Sequence, residues 1–412
     1  MDSRADHDRV LRDTRFLIDQ VNGRIFNRDF LPYRFSVDSV ALNVQGTTSN
    51  AFWGTLSEMR IHLINPDTSF TIVRGDSLPF HRIHRIETFA ANRDSRKIYD
   101  IQLNIFQQDP FLITWEKKSI DQLPSNIEAQ TTLALNNYFF TYYIAGGTIG
   151  AVRSANNDGA TWTNVSLDGL TASTQLTSAI SVGTIAFVLD DANNVFRTTD
   201  GIKWSAVNVD YPVEAIYGVL PSSDGGDVLL VVDNNGTLTF AKTDDFSTIT
   251  LFNPVPAPFA GALPVVDFSA VQVDNPNVYA AKFIILAGGE TIDGLENRDI
   301  WLMEYSNGNI RLLRQAIGLQ MQRGSRMFYY NNQLQMMVLT PLGENLIMFS
   351  TNYGLSWEVA GERQFFPGDF THRTHPSIIT DDEFIWIFGG QTPFGEFSDA
   401  WRGRLNLLDG VL

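Results

Sequence analysis

The sequence predicts an all-β protein, in which a six-bladed β-propeller follows a small immunoglobulin-like β-sandwich. The clearest sign is residues 283–301, FIILAGGETIDGLENRDIW, where a short apolar run ends on Gly288 and Gly289 and a polar loop leads to a second strand at Trp301. The run is too short for a helix, and paired glycines at a strand end allow a sharp bend. We interpret the stretch as one hairpin of a repeating unit.

Repetition of this hairpin predicts the propeller. The phrase returns at residues 384–401, with Gly389, Gly390 and Trp401 in the same roles, and weaker copies begin at residues 142, 185, 228 and 336. The anchor aromatics of the six copies are Trp162, Trp204, Phe246, Trp301, Trp357 and Trp401. Their spacing of about 42 to 56 residues is typical of propeller blades. The third copy offers Phe246 instead of a tryptophan, which leaves the blade count open by one.

Composition agrees with this fold and excludes several classes of function. A chain of 412 residues that is 44% hydrophobic can bury a sizeable core and suggests two or more domains. Its net charge of −16 makes nucleic acid a poor partner, since an acidic surface repels phosphates. The absence of cysteine excludes disulfides, thiolate metal sites and cysteine nucleophiles. No run approaches the roughly 18 apolar residues of a transmembrane segment, and no cofactor is predicted.

Three parts are predicted along the chain: a flexible N-terminus at residues 1–12, an Ig-like β-sandwich at 13–110 and the β-propeller at 111–412. In the sandwich, Asn22-Gly23 predicts a tight hairpin in which both turn residues have positive φ. Two related phrases that begin at Asp29 and Asp76 each predict an extended segment after a turn. Two very small subdomains are the alternative to one sandwich.

Closure of the propeller is predicted from an unpaired strand. Residues 111–116 form a strand without a local partner, and the last blade, from His375, has its third strand at residues 401–405. A closed propeller must hide its strand edges, usually by completing the last blade with a strand from the start of the domain. We therefore predict that residues 111–116 pair beside residues 401–405.

Between the hairpins lie turns of the form Asp-Gly-x-x-Trp. Residues 157–162 and 199–204 share it, and residues 350–357 carry a variant with Asn for Asp and Ser for Thr. The Asx side chain hydrogen-bonds the turn backbone, glycine takes the left-handed position, and tryptophan is expected to fold under the next blade. The residues interpreted as structural are Trp162, Trp204, Gly288, Gly289, Trp301, Trp357, Gly389, Gly390 and Trp401.

Two resemblances follow from these motifs. The Gly-Gly/Trp phrases resemble kelch repeats, and the Asp-Gly-x-x-Trp phrases resemble the Asp boxes of sialidase-like propellers. The whole layout is similar to a family of secreted or surface lipoproteins of Bacteroidetes, through residues 15–33 and 98–116. That resemblance implies a signal peptide and a lipidated cysteine, absent here, and hence an extracytoplasmic location at the cell surface or in the periplasm.

Known propeller chemistries are not supported by the residues. A sialidase needs three converging arginines, and its aromatic-Arg-Ile-Pro motif is absent, while the Tyr-Cys copper ligand of galactose oxidase requires a cysteine. The His81/His84 and His372/His375 pairs are interpreted as solvated loop histidines, and the Asp190-Asp191, Asp244-Asp245 and Asp381-Asp382 pairs as solvated turns. No catalytic residue and no metal ligand is predicted.

A ligand is expected at the channel mouth, where loops between second and third strands meet loops between blades. The long loops are residues 252–264, 290–298, 314–326, 362–376 and 391–397. The candidate ligand-binding residues are Glu290, Glu296, Arg323, Arg363, His372, Arg373 and His375. Aromatic rings and hydrogen-bonding cations in residues 362–376 suit a sugar or a peptide.

The sequence therefore predicts a non-enzymatic binding or scaffold protein of the bacterial cell envelope that recognises a glycan or a protein. The alternative is a carbohydrate-active hydrolase or lyase with an acidic pair among Glu290, Asp293, Glu296 and Glu396. A third possibility is a purely structural module of a larger envelope complex.

Overall fold

The computed structural model describes residues 10–11, 13–35, 40–41, 56–72, 77–79, 82–156, 158–220, 227–274, 282–306, 308–316, 324–361 and 364–408. They belong to two compact units, one made of Met1–Leu112 with Asn406–Leu412 and the other of Ile113–Leu405. Both units are built from strands, so the all-β prediction is confirmed. No helix in these ranges is long and apolar enough to cross a membrane.

The N-terminal unit contains a six-stranded sheet and a two-stranded ribbon among its described residues. The sheet has the order β1 (Phe16–Asp19), β2 (Arg24–Asn27), β8 (Arg96–Gln102), β7 (Ile83–Ala90), β4 (Leu56–Leu63), β5 (Thr68–Thr71), and the ribbon pairs β3 (Val40–Ala41) with β6 (Ser77–Leu78). Strands β2 and β8 run parallel. An immunoglobulin-like sandwich has two packed antiparallel sheets. The described residues therefore differ from that expectation, although the unit is a β domain.

The predicted N-terminal hairpin is present with a longer turn. Strands β1 and β2 pair from Phe16 opposite Asn27 to Asp19 opposite Arg24, so the loop has four residues instead of two. The Asp19 carboxylate accepts hydrogen bonds from the backbone of Val21 and Asn22 at 3.0 and 2.9 Å. This Asx turn takes the place of a two-residue turn. The phrase that begins at Asp76 lies partly outside the described residues.

The C-terminal unit contains six four-stranded sheets among its described residues, each of which we call a blade. Blade 1 is β10 (Ile127–Leu135), β11 (Tyr138–Ala145), β12 (Thr148–Ala155), β13 (Thr163–Val165); blade 2 is β14 (Thr174–Val182), β15 (Ile185–Asp190), β16 (Val195–Thr198), β17 (Ser205–Val207); blade 3 is β18 (Val213–Val219), β19 (Val228–Asn234), β20 (Thr237–Thr243), β21 (Thr250–Pro254). Blade 4 is β22 (Pro264–Asp274), β23 (Lys282–Thr291), β24 (Asp299–Ser306), β25 (Asn309–Ala316); blade 5 is β26 (Arg326–Tyr330), β27 (Gln333–Leu339), β28 (Asn345–Ser350), β29 (Glu358–Val359); blade 6 is β30 (Ser377–Thr380), β31 (Phe384–Phe388), β34 (Asp399–Leu405), β9 (Ile113–Ser119). A hairpin of β32 (Gln391–Thr392) and β33 (Gly395–Glu396) and a one-turn helix α1 (Ala257–Ala260) also belong to this unit, whereas a 3-10 turn (Asn406–Leu408) belongs to the N-terminal unit.

The blades form a closed ring. The first strand of each blade contacts the first strand of the next, from β10 and β14 round to β26 and β30, and β30 contacts β10 again. The second strands are covered on both faces by neighbouring blades. Strand β19 is therefore almost continuously buried, and its sequence begins with the apolar run VLLVV. Hydrophobic clusters fill the spaces between blades, for example Phe187 of blade 2 against Leu230 of blade 3. The C-terminal unit is a β-propeller.

Strand β9 completes blade 6. It runs antiparallel to β34, from Asp399 opposite Ser119 to Leu405 opposite Ile113. The strand begins two residues later than the sequence indicated, because Phe111 is held in a turn by the Asp109 carboxylate at 3.1 Å. Residues 111 and 112 therefore belong to the N-terminal unit, as do residues 406–412.

The Asp-Gly-x-x-Trp turns close by local hydrogen bonds. In blade 2 the Asp200 carboxylate accepts from the backbone of Ile202 and Lys203, both at 2.8 Å, and Gly201 has a φ of +74°. Trp204 then packs on Tyr142 of the preceding blade, with ring centroids 5.7 Å apart. The expectation that the tryptophan packs under the next blade was therefore wrong in direction.

Phe246 has a different role from the one that its spacing suggested. The backbone N–H of Phe246 donates to Thr243 Oγ1 as Gly201 N–H donates to Thr198 Oγ1, so Phe246 occupies the glycine position of the turn. It keeps a positive φ of +66° there. Its buried ring lies 4.6 Å from Phe187 of the preceding blade, measured between centroids. Trp204 in blade 2 and Phe246 in blade 3 thus both pack against the preceding blade, but from different positions of the turn.

Candidate functional site

The first strands surround a cavity of about 340 Å³ in the channel. Its lining comes from blades 1, 2, 4, 5 and 6 and is rich in hydroxyl groups. The polar lining residues include Gln130, Thr131, Thr177, Ser181, Ser269 and Ser377. We call this space the channel cavity.

An ionic network of three side chains adjoins the channel cavity. Asp267 comes from β22, Arg326 begins β26, and His375 precedes β30, so three consecutive blades contribute. Arg326 Nη2 donates to Asp267 Oδ1 at 2.8 Å, and His375 Nε2 lies 2.8 Å from Asp267 Oδ2. Arg326 and His375 both line the cavity.

The backbone around the network is strained and held in place. Asp267 and His375 have positive φ values of +52° and +54°. The N–H of His375 donates to the carbonyl of Gly324 at 2.9 Å. Gly324 has a φ of +83°, and any Cβ there would overlap the imidazole of His375. Residues held in such conformations cluster at functional sites, because the surrounding structure must compensate the strain.

Asp267 is an ionised carboxylate in a buried place. Burial opposes its ionisation, but the hydrogen bond from His375 and the charge of Arg326 outweigh burial and hold the pKa of Asp267 well below its usual range. Its side chain is 4% exposed. The network is therefore a desolvated ion pair with a histidine as third member.

The second nitrogen of His375 points to the β32–β33 hairpin. His375 Nδ1 lies 2.6 Å from Gln391 Nε2 and 2.9 Å from Thr374 Oγ1. When the proton is on Nε2, that nitrogen donates to Asp267 and Nδ1 accepts from Gln391. The neutral ring thus has a partner at both nitrogens.

A second carboxylate, Glu396, lies beside the same histidine. Burial raises the pKa of Glu396, while a hydrogen bond from Gln130 and the nearby His375 act in the other direction. Gln130 Nε2 donates to Glu396 Oε2 at 2.9 Å. Asp267 and Glu396 are therefore carboxylates with opposite pKa shifts that share one neighbour.

Arg373, predicted as a ligand contact, has a structural position. Its side chain is fully buried, ion-paired with Asp399 through both terminal nitrogens and hydrogen-bonded to the Gly389 carbonyl at 2.9 Å. The ring of Phe397 lies 4.0 Å from the guanidinium carbon. Gly390 lacks the Cβ that would crowd this side chain, which explains the second glycine of the pair.

The other predicted ligand residues are distributed over the blade 4, 5 and 6 loops. Glu290 and Glu296 form an isolated bridge with each other at the base of the blade 4 loop, and Glu296 is 3.3 Å from Arg298. His372 is exposed, and its Nδ1 accepts from the backbone N–H of Asn345 at 2.9 Å. Arg323 and Arg363 lie outside the described residues.

The histidine pairs are not simple solvated loops. His84 belongs to β7 and has a buried Nδ1 without a hydrogen-bond partner in the described chain, whereas His81 lies outside the described residues. His375 is half-buried and bonded at both nitrogens. No group of three or more potential metal ligands is found where residues are described.

Sequence reasoning missed Asp267, Arg326, Gln130 and Gln391. Asp267 had a usable signal, since it interrupts the apolar strand PVVDFSAV. Arg326 had none that links it to a residue 59 positions away. Only the cyclic order of the blades brings these side chains to one cavity.

Two family models match the chain, and one of them is described as a β-propeller. Residues 109–411 match the family model described as DUF6242 beta propeller domain, and residues 2–103 match the one described as Domain of unknown function (DUF6242) N-terminal domain. A search of curated proteins found no match. Among solved structures, one titled "Structure of YjhT" is 11% identical, covering 67% of this chain and 94% of that chain with a TM-score of 0.47.

Proposed function

The chain belongs to the DUF6242 family, and we propose that it is a binding protein that holds a carbohydrate in the channel cavity of its propeller. The observation that carries this proposal is the cavity itself. Its volume of about 340 Å³ is at the small end of the roughly 300–1,000 Å³ of ligand pockets, which suits a sugar and is too small for a folded partner.

The hydroxyl groups of the lining support a polyhydroxyl ligand. Thr177 and Ser181 make no side-chain hydrogen bond within the described chain, so both can exchange bonds with a ligand. Ser269 accepts a backbone N–H group at 2.7 Å and keeps its own hydroxyl hydrogen for donation, while Ser377 accepts one at 2.8 Å and lies 3.4 Å from the Thr131 hydroxyl. Groups that both donate and accept match the hydroxyls of a sugar.

The test is binding of a carbohydrate panel by the full chain and by Thr177→Val, measured by calorimetry. Valine keeps the shape of threonine and removes its hydroxyl, so we expect affinity to fall by about 3- to 10-fold, the effect of one neutral hydrogen bond. Thr250→Val is the matched control, because Thr250 is exposed on the outermost strand of blade 3. No binding across the panel, or equal weakening by both variants, would reject the proposal.

A carbohydrate-active hydrolase or lyase is the second candidate function. The opposite pKa shifts of Asp267 and Glu396 favour it, since carboxylates with separated pKa values commonly divide acid and base roles. Glu396 would be the proton donor. Turnover of the same panel that is lost in Glu396→Gln, with binding retained, would establish catalysis, whereas binding without turnover leaves a binding protein.

For the propeller subtype and the location we also make proposals. The Asp200 and Asp158 turns, which hydrogen-bond their own backbone, support an Asp-box propeller with kelch-like blades 4 and 6. The resemblance of residues 15–33 and 98–116 to surface lipoproteins supports a place in the cell envelope. Fractionation of the native cells with an antibody against the propeller tests this, and a cytosolic signal would reject it.

A further inference from the structure

We propose that a groove next to the channel cavity is a second subsite for the same ligand, so that the protein recognises an oligosaccharide of at least two residues. This inference rests on the proposed carbohydrate binding. The groove has a volume of about 520 Å³ and lies between the blade 5 loop, at Leu339 and Gly343, and the β32–β33 hairpin, at Thr392 and Pro393.

The groove and the channel cavity share a wall. Thr374 and Gln391 line the groove, and their side chains contact His375, which lines the cavity, at 2.9 and 2.6 Å. One layer of side chains thus separates the two spaces. A chain of sugar residues that crosses the edge of this wall can occupy both spaces, whereas a single sugar fills only one.

The groove combines apolar surface with polar side chains, among which His372 is exposed at its margin. Leu339 and Pro393 supply apolar surface, and His372 is exposed beside them. Because His372 Nδ1 accepts from the backbone of Asn345, the neutral ring carries its proton on Nε2, where it can donate to a ligand. A pyranose ring has the matching character, with apolar C–H faces and hydroxyls at its edge.

An exposed aromatic stands at the rim of the groove. Phe394, next to Pro393 in the hairpin turn, is 99% exposed. The hairpin that presents it is rigid, since Thr374 and Gln391 exchange backbone hydrogen bonds of 3.0 and 2.8 Å and the Phe394 N–H donates to Thr392 Oγ1 at 3.2 Å. An aromatic ring carried on a backbone that is held in this way can stack on a sugar face.

The opposite rim of the groove is also apolar. Leu342, beside Gly343, is 88% exposed on the facing loop. The corresponding loops of blades 1, 2 and 3, residues 146–147, 191–194 and 235–236, carry no exposed large apolar side chain, whereas that of blade 4 exposes Ile292 and Leu295. Exposed apolar side chains thus lie on these loops in blades 4, 5 and 6, and those of blades 5 and 6 lie beside the groove.

The experiment is calorimetry on the full chain with chain-length series of one to six residues of β-1,4-N-acetylglucosamine, α-1,4-glucan and α-1,6-mannan oligosaccharides. In the series that binds, we expect affinity to rise at least about tenfold from the monosaccharide to the di- or trisaccharide. Phe394→Ala should abolish that gain and leave monosaccharide affinity unchanged. Leu295→Ala is the matched control, because Leu295 is 63% exposed on the blade 4 loop outside the groove.

The outcomes separate this inference from the proposed function. Equal affinity for monosaccharide and oligomers, or no effect of Phe394→Ala, would overturn the second subsite and leave carbohydrate binding in the channel cavity intact. Oligomer binding that responds to Phe394→Ala but not to Thr177→Val would overturn the proposal that one ligand occupies both spaces, and would place binding in the groove alone. No binding in any series would overturn both.

Discussion

Asp267 shows how a single carboxylate can organise a channel mouth. Its two oxygens bind cationic or hydrogen-bonding partners from the next two blades, Arg326 and His375. A buried ion pair adds little net stability when complete, but removal of one partner leaves a charge that water cannot reach. The network therefore makes the packing of blades 4, 5 and 6 depend on ionisation of one residue.

Asp267→Asn should lower the free energy of unfolding at pH 7 by about 3 kcal/mol, because Arg326 loses its buried counter-charge. The lowered pKa of Asp267 fixes the pH dependence. The unfolded carboxyl takes up its proton first, so the stabilisation is complete above pH about 4 and is lost as pH falls further, through the folded-state pKa. Chemical denaturation between pH 7 and pH 2.5 measures both effects.

Asp267→Asn should not show this acid-induced loss. The difference in the free energy of unfolding between the parent and the variant should therefore become smaller below pH about 4. Asp210→Asn is the control, since Asp210 is exposed. A gap that stays constant down to pH 2.5 would contradict the ionised state assigned to Asp267.

Elements whose contacts are local could be predicted from the sequence. The Asp200 turn closes through bonds that span two and three residues, so the motif alone specifies it. The order of strands in the N-terminal unit could not be predicted, because the parallel pair of β2 and β8 joins residues about 75 positions apart. The sequence placed Phe246 at the tryptophan position of the turn, because no sequence pattern reveals that a phenylalanine has a positive φ.

At position 246 we expect glycine to be a less destabilising replacement than alanine, the reverse of the usual order. Both Phe246→Ala and Phe246→Gly remove a buried ring and should cost about 3–5 kcal/mol. At a φ of +66°, however, alanine keeps the left-handed strain of roughly 1–2 kcal/mol and glycine does not. We expect Phe246→Gly to be the more stable variant by about 1 kcal/mol in urea unfolding.

The same pair of substitutions at Phe240, in strand β20 of the same blade, provides the control. There alanine should be better than glycine, because extended backbone carries no such strain. Alanine better than glycine at both positions would show that Phe246 does not hold the glycine position of the turn.

The candidate site was predicted only in part for a related reason. His375 stood out in a loop of aromatic and cationic residues, but Asp267 is 108 positions from it and becomes its partner through the ring of blades. The sequence also could not show which cationic side chains of this loop face the cavity and which are buried. Arg373 binds Asp399 inside the protein instead of facing a ligand.

At the scale of the whole propeller, stability depends on closing the ring. An open last blade would expose a strand edge, and in the structure β9 covers β34 over seven residues. Gly403 contributes, because Trp115 of β9 lies directly over it and a side chain there would overlap the indole. The start of β9 could not be placed to the residue, since the turn at Asp109 that delays it leaves no periodic signal.

A pair of fragments tests this closure. Residues 113–405 retain β9 and should fold as a monomer with one cooperative thermal transition, whereas residues 120–405 lack β9 and leave the whole edge of β34 unpaired. We expect the shorter fragment to lose at least about 3 kcal/mol, which corresponds to a melting temperature lower by about 6–12 °C, and to associate through the free edge. Light scattering and thermal melts measure both effects, and a synthetic peptide of residues 113–119 should restore part of the loss. Fragments that melt within about 2 °C of each other, both monomeric, would show that the ring of blades is held by its interblade cores and not by the closing strand.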